Sequence, residues 1–186
     1  MRYAIFLLTL PQIVLGSCKR RAIQAATPNR ATVKNSCTYE VYLITTGPGG
    51  AKPMVTIPPG ANHSEDIYIS KPGEGGISFK VLKSPKTPDV PMQFEYTATN
   101  GDIWYNLSLI DCVKKKDKGG CAGHDGGLRA VAGRGCRIFQ CGPNTANPAC
   151  DIEGYTEPEF GYKDGAPVSK CSVAEGVTFE LCSRYG

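Results

Sequence analysis

The chain has 186 residues, 41% of them hydrophobic, with 22 glycines, 14 prolines, nine cysteines and a formal net charge of +4. That length supports one domain with a real core. The charge is too small, and its clusters Lys19-Arg20-Arg21 and Lys114-Lys115-Lys116 too short, for a nucleic-acid binder, which would show a basic stripe with stacking aromatics.

The N-terminus reads as a secretory leader. Arg2 precedes an apolar run, Tyr3 to Leu10, and Ile13-Val14-Leu15 leads to the small residues Gly16 and Ser17. The run falls short of the about 20 apolar residues needed to cross hydrocarbon, so residues 1–17 are expected to be a signal peptide rather than an anchor. No later segment is long and apolar enough to span, and a secreted, soluble product without stable membrane insertion is expected. Residues 18–30 read as a spacer or propeptide. Its Lys19-Arg20-Arg21 is a dibasic site, and cleavage after Arg21 would remove Cys18 and leave eight cysteines. An even set in an oxidising compartment is expected to pair.

From Ala31 onward the pattern is β. Tyr39 to Thr45 is rich in β-branched and aromatic residues and stops at Gly47-Pro48-Gly49-Gly50. Met54 to Ile57 is a second strand, ended by Pro58-Pro59-Gly60; Ser64 to Ile69 alternates weakly; Ile77 to Leu82 alternates well. In Gln93 to Thr97, Phe94 and Tyr96 share a face opposite Gln93, Glu95 and Thr97. Asn100-Gly101 then supplies the two positive-φ positions of a tight hairpin turn. Beyond it Ile103, Tyr105, Leu107 and Leu109 lie on one face, with Trp104, Asn106, Ser108 and Ile110 on the other. Regularity fades between Asp111 and Cys171, where glycine- and cysteine-rich loops dominate. Val177 to Cys182 is the last strand. Glycine and proline at this density favour turns and short strands over long helices. Short strands with punctuated turns indicate a single β-sandwich or barrel over residues 31–186.

These motifs together resemble the thaumatin-like proteins, and most of all their small fungal branch, named for a yeast-phase-specific antigen (the BYS1 type). Val33-x-Asn35-x-Cys37-x-Tyr39-x-Val41 matches the opening pattern and Ile57-Pro58-Pro59-Gly60 with Ser64 the second turn. Phe94-Glu95-Tyr96 with Trp104 to Asp111 matches the central hairpin. Gly135-Cys136-x4-Cys141 and the closing Cys171-x10-Cys182 follow in order. The resemblance implies an all-β, thaumatin-like sandwich or flattened barrel with disulfide-stapled loops. It also implies the bridges Cys37–Cys182 and Cys136–Cys171, which leaves Cys112–Cys121 and Cys141–Cys150 as inferred local bridges. The large second domain of plant members has no counterpart, since only Gly142 to Lys170 fills its interval. The cleft it walls is therefore expected to be shallow or absent.

By resemblance, Glu95 stands where the family carries a cleft glutamate, while Asn106 replaces a frequent aspartate. Hydrolysis of a glycosidic bond needs two carboxyl groups about 5–5.5 Å or 6.5–9.5 Å apart. The enzyme alternative, a weak endo-β-1,3-glucanase, would thus use Glu95 with Asp102 or Asp111. The leading expectation is a non-enzymatic binder, an antigen or virulence effector at the fungal wall or host interface. Its expected partner is wall β-glucan or a host surface or apoplastic protein, and Glu95, Trp104, Asn106 and Ser108 are the carbohydrate-binding candidates. A third reading, a membrane-active antifungal protein, would use the basic loop Lys114 to Lys118. No compact Cys/His spacing suggests a metal, and no cofactor motif is present. Asn62-His63-Ser64 and Asn106-Leu107-Ser108 are glycosylation acceptor patterns. A monomer is expected.

Overall fold

The computed structural model describes residues 26–87, 90–113, 119–143, 150–157 and 165–183. The signal peptide, Cys18, the Arg21 processing point and the Lys114 to Lys118 loop lie outside the described residues.

Within them run twelve strands: β1 (Arg30–Asn35), β2 (Val41–Gly47), β3 (Gly50–Ala51), β4 (Val55–Ile57), β5 (Asn62–Asp66), β6 (Ile77–Leu82), β7 (Met92–Thr99), β8 (Asp102–Ser108), β9 (Leu128–Val131), β10 (Phe139–Cys141), β11 (Val168–Ser172) and β12 (Val177–Leu181). They form two sheets. One has the order β10-β9-β12-β1-β5; the other has the order β11-β8-β7-β6-β2-β3, with β4 also paired to β2.

The alternation seen in sequence decides which faces meet. Phe79 of β6, Phe94 and Tyr96 of β7, and Ile103, Tyr105 and Leu107 of β8 are buried, as are Val33 of β1 and Phe179 of β12. Aromatic rings join the layers: Phe179 stacks on Phe94 with centroids 5.0 Å apart and meets Phe79 edge-on at 6.2 Å, while Tyr105 meets Phe139 of β10 at 5.6 Å. Such paired rings add to the burial of their large apolar surfaces.

The β7–β8 hairpin turns on Asn100 (φ 51°) and Gly101 (φ 84°), the left-handed pair that a tight two-residue turn requires. Elsewhere the boundaries differ from the sequence reading. The opening segment is two strands in different sheets. Asn35 breaks it: its Nδ2 donates to the carbonyls of Tyr39 and Ile57, each at 2.9 Å, and its Oδ1 accepts from Cys37 N–H at 3.0 Å. The spacer assigned to residues 18–30 also reaches too far. Ala26 is buried, Asn29 N–H donates to Ala174 O, Ile67 N–H donates to Asn29 O, and β1 starts at Arg30. Residues 26–30 therefore belong to the domain.

Strands β9, β10 and β11 were hidden in the loop-rich interval. They are short: β9 pairs with the distant β12 and β11 with the distant β8, while β10 pairs back onto β9. Four disulfides tie these parts together: Cys37–Cys182, Cys112–Cys121, Cys136–Cys171 and Cys141–Cys150. The first continues the parallel pairing of β1 with β12, whose last partners are Asn35 and Leu181. Among the described residues no helix is long and apolar enough to cross a membrane, and no group of His, Cys, Asp or Glu could hold a metal ion.

Candidate functional site

Antiparallel pairing lines up outward-facing side chains across five strands. Thr46 of β2 is opposite Ser78 of β6, Ser78 opposite Glu95 of β7, Glu95 opposite Asn106 of β8, and Asn106 opposite Val168 of β11. A second row, Thr97–Trp104–Lys170, runs beside it. Outward side chains on facing strand positions lie close enough to act as one surface.

A groove of about 930 Å³ follows the first row across the outer face of the seven-stranded sheet. Thr46, Ser78, Glu95, Asn106, Thr97 and Trp104 lie along it. Pro48 and the Gly75-Gly76 turn form one end, and Ile110, Tyr155 and Val168 the other. The cleft is thus not absent; it is an open groove on the sheet face. Local loops supply its walls. Gly76 packs against β7 so closely that a Cβ there would lie 2.2 Å from Thr97 Oγ1 and 2.3 Å from Tyr96 O. At the other end Tyr155 is zipped onto the end of β8: its N–H donates to Leu107 O at 2.9 Å, and its carbonyl accepts from Leu109 N–H at 2.8 Å.

Glu95 is the acid of this groove. Burial holds its carboxyl above the ordinary glutamate range; the Asn106 amide opposes that by donating a hydrogen bond, the negative charge of Asp111 adds to it, and Lys80 opposes it. With Nδ2 turned to Glu95, Asn106 keeps its Oδ1 buried and without a hydrogen-bond partner. Trp104 is half-buried. Lys170 Nζ sits 5.5 Å from its ring centroid and 2.9 Å from Asp102 Oδ2, so the ammonium covers part of one indole face.

The site residues expected from sequence therefore divide. Glu95, Trp104 and Asn106 come together in the groove, whereas Ser108 does not join them. It is only 2% exposed, because the Tyr155 segment lies alongside β8 at that point, and its removal from the surface corrects the outer-face assignment. Asp102 sits at the hairpin end, bound by Lys170, and is absent from the groove lining. Asp111 also lies off the lining; its Oδ2 accepts from Gln93 Nε2 at 2.9 Å. Sequence reasoning missed Thr46, Ser78 and Tyr155. Thr46 and Ser78 become neighbours of Glu95 only through strand register, and no local pattern marks Tyr155.

Two sheets closed on one aromatic core, a Cys37–Cys182 clasp and a groove on the larger sheet define a small thaumatin-like protein. The family model described as Blastomyces yeast-phase-specific protein (Bys1) matches residues 20–183, and the chain belongs to this family. It is 36% identical over 158 residues to the antigenic thaumatin-like protein of Arthroderma benhamiae, covering 84% of this chain and 72% of the relative. To the secreted thaumatin-like protein calA of Emericella nidulans it is 29% identical over 150 residues, covering 81% of this chain and 79% of the relative. The crystal structure of the protein elicitor MoHrip2 from Magnaporthe oryzae superposes with a TM-score of 0.61 at 27% identity, covering 83% of this chain and 99% of that one. The thaumatin-like xylanase inhibitor TLXI shares the fold, with a TM-score of 0.51 at 13% identity, covering 82% and 98%.

Proposed function

We propose that this protein is a secreted, non-enzymatic binding protein whose groove holds a β-glucan chain at the fungal wall or the host interface. The row Thr46–Ser78–Glu95–Asn106, with Trp104 beside it, carries the proposal. Hydroxyl, amide and carboxyl groups spaced along a trough match the hydroxyls of a neutral polysaccharide. A partly open indole suits the C–H face of a sugar ring. Asn106 Oδ1 offers a buried acceptor for a sugar hydroxyl, and buried polar atoms are normally hydrogen-bonded.

The chemistry favours holding over cutting. Glycosidases work with two carboxyl groups across the scissile bond. Among the described residues lining the groove, Glu95 is the single acid. Asn106, which faces it across β7 and β8, is an amide and supplies no second carboxyl. Secretion is supported by the printed name of the Emericella relative and by four disulfides, which belong to oxidising compartments. Action at a host interface is supported by the likeness to a protein elicitor.

The test is co-sedimentation of the oxidised protein with insoluble β-1,3-glucan, with reducing-sugar release followed in parallel. Retention without sugar release, lost at least tenfold in Trp104→Ala while the circular dichroism spectrum is kept, is the expected result. No retention by the parent protein overturns the reading. Sugar release that disappears in Glu95→Gln replaces it with the glucanase.

A further inference from the structure

Two acceptor patterns for N-linked sugar occur in the chain, and their surroundings differ sharply. Asn62 opens β5, the outermost strand of the five-stranded sheet, and is exposed. Among the described residues β5 pairs with β1 on one side and with no strand on the other. The period of two puts Asn62 and Ser64 on one face, opposite Lys34 and Thr32 of β1. Ser64 Oγ lies 2.9 Å from Thr32 Oγ1 and accepts from Arg30 Nε at 3.1 Å, so the serine is tied to the sheet while the asparagine beside it faces solvent. Asn106 is the opposite case. It is flanked by β7 and β11, its Nδ2 is engaged by Glu95, and its Oδ1 is buried.

We propose that Asn62 carries an N-linked glycan, that Asn106 does not, and that the glycan shields the open edge of β5. In the transfer, Asn62 Nδ2 bonds to C1 of the first sugar of a polyprenyl-diphosphate oligosaccharide. The C1–O bond breaks, the polyprenyl diphosphate leaves with the electron pair, and Nδ2 gives up one proton. A sugar on Asn106 would fill the groove and displace its hydrogen bond to Glu95, whereas one on the exposed Asn62 projects into solvent. An exposed strand edge is a template for pairing with another chain, and bulky polar cover is one way to block it. The five-stranded sheet faces away from the groove, so the sugar leaves the groove open.

The experiment is peptide mapping of the protein secreted from a eukaryotic host, before and after peptide-N-glycosidase, with no variant needed. Glycan on the Asn62 peptide alone is expected. An unmodified Asn62, or any glycan on Asn106, overturns the assignment. Ser64→Ala should abolish the modification while leaving Asn62 in place; persistence of the glycan in that variant also overturns it. For the shielding role, enzymatically deglycosylated native protein is compared with its glycosylated parent by sedimentation velocity. Concentration-dependent association only after deglycosylation is expected, and identical monodisperse behaviour of both overturns that role.

Discussion

Glu95 and Asn106 face each other across β7 and β8, the amide donating to a carboxyl whose own pKa is driven up by burial. The pair sits at the middle of the groove, with Ser78 on one side and Val168 on the other. An asparagine in this place lets a single half-buried acid exist without a like-charged neighbour directly opposite.

This arrangement makes stability depend on pH with a definite sign. A carboxyl whose folded pKa is raised binds its proton more tightly in the folded state. Its contribution is complete below the unfolded pKa and is lost as the pH rises through the folded one. Glu95→Gln removes that loss, so its melting temperature should exceed the parent's at neutral pH and converge with it below the ordinary glutamate range. Asn106→Asp should do the reverse. Two carboxylates opposite each other repel, and the variant should be less stable than the parent at pH 7 and recover on acidification. Thermal melts between about pH 3 and 8 check both; a Glu95→Gln curve parallel to the parent's contradicts the burial argument.

The clasp between the first and last strands should dominate the covalent contribution. Cys37–Cys182 spans 145 residues of sequence separation, Cys136–Cys171 spans 35, and the two local bridges span 9 each. Chain-entropy reasoning assigns about 5, 4 and 2.6 kcal/mol respectively. Paired Cys→Ala variants, ranked by urea midpoint, should lose stability in that order. A Cys37→Ala/Cys182→Ala protein as stable as the parent would show that β1–β12 pairing needs no covalent support.

Asn35 should behave as a core residue despite its polarity. It is fully buried, and its side chain satisfies three backbone groups: the carbonyls of Tyr39 and Ile57 and the N–H of Cys37. Asn35→Ala leaves those groups buried and unpaired, at a cost of about 3 kcal/mol. Asn35→Asp should be similarly damaging, since a carboxylate cannot donate to two carbonyls. Equilibrium urea unfolding measures both; losses under about 0.5 kcal/mol would mean that other groups replace the asparagine.

Local patterns predicted the central hairpin closely, because its determinants are adjacent in sequence: Phe94 and Tyr96 alternate inward, and Asn100-Gly101 turns the chain. The same reasoning placed strands at Ile77 to Leu82 and Val177 to Cys182, where alternation is clear, and the second ends one residue earlier, at Leu181. It failed at β9, β10 and β11, whose three to five residues carry too little periodicity to stand out. It also put Ser108 at the surface, since alternation assigns a face and cannot say what packs over it.

What the amino-acid order settled alone is the class of molecule: short strands, a hairpin, eight cysteines in a family-specific order, and Glu95, Trp104 and Asn106 on one face of the central hairpin. What tertiary structure decided is the site. Thr46 and Ser78 join Glu95 through sheet register, Tyr155 closes one end from a distant loop, and the same loop takes Ser108 out of reach. Strand faces follow from a local period of two, whereas neighbours across a sheet follow from pairings between distant segments, which no local pattern records.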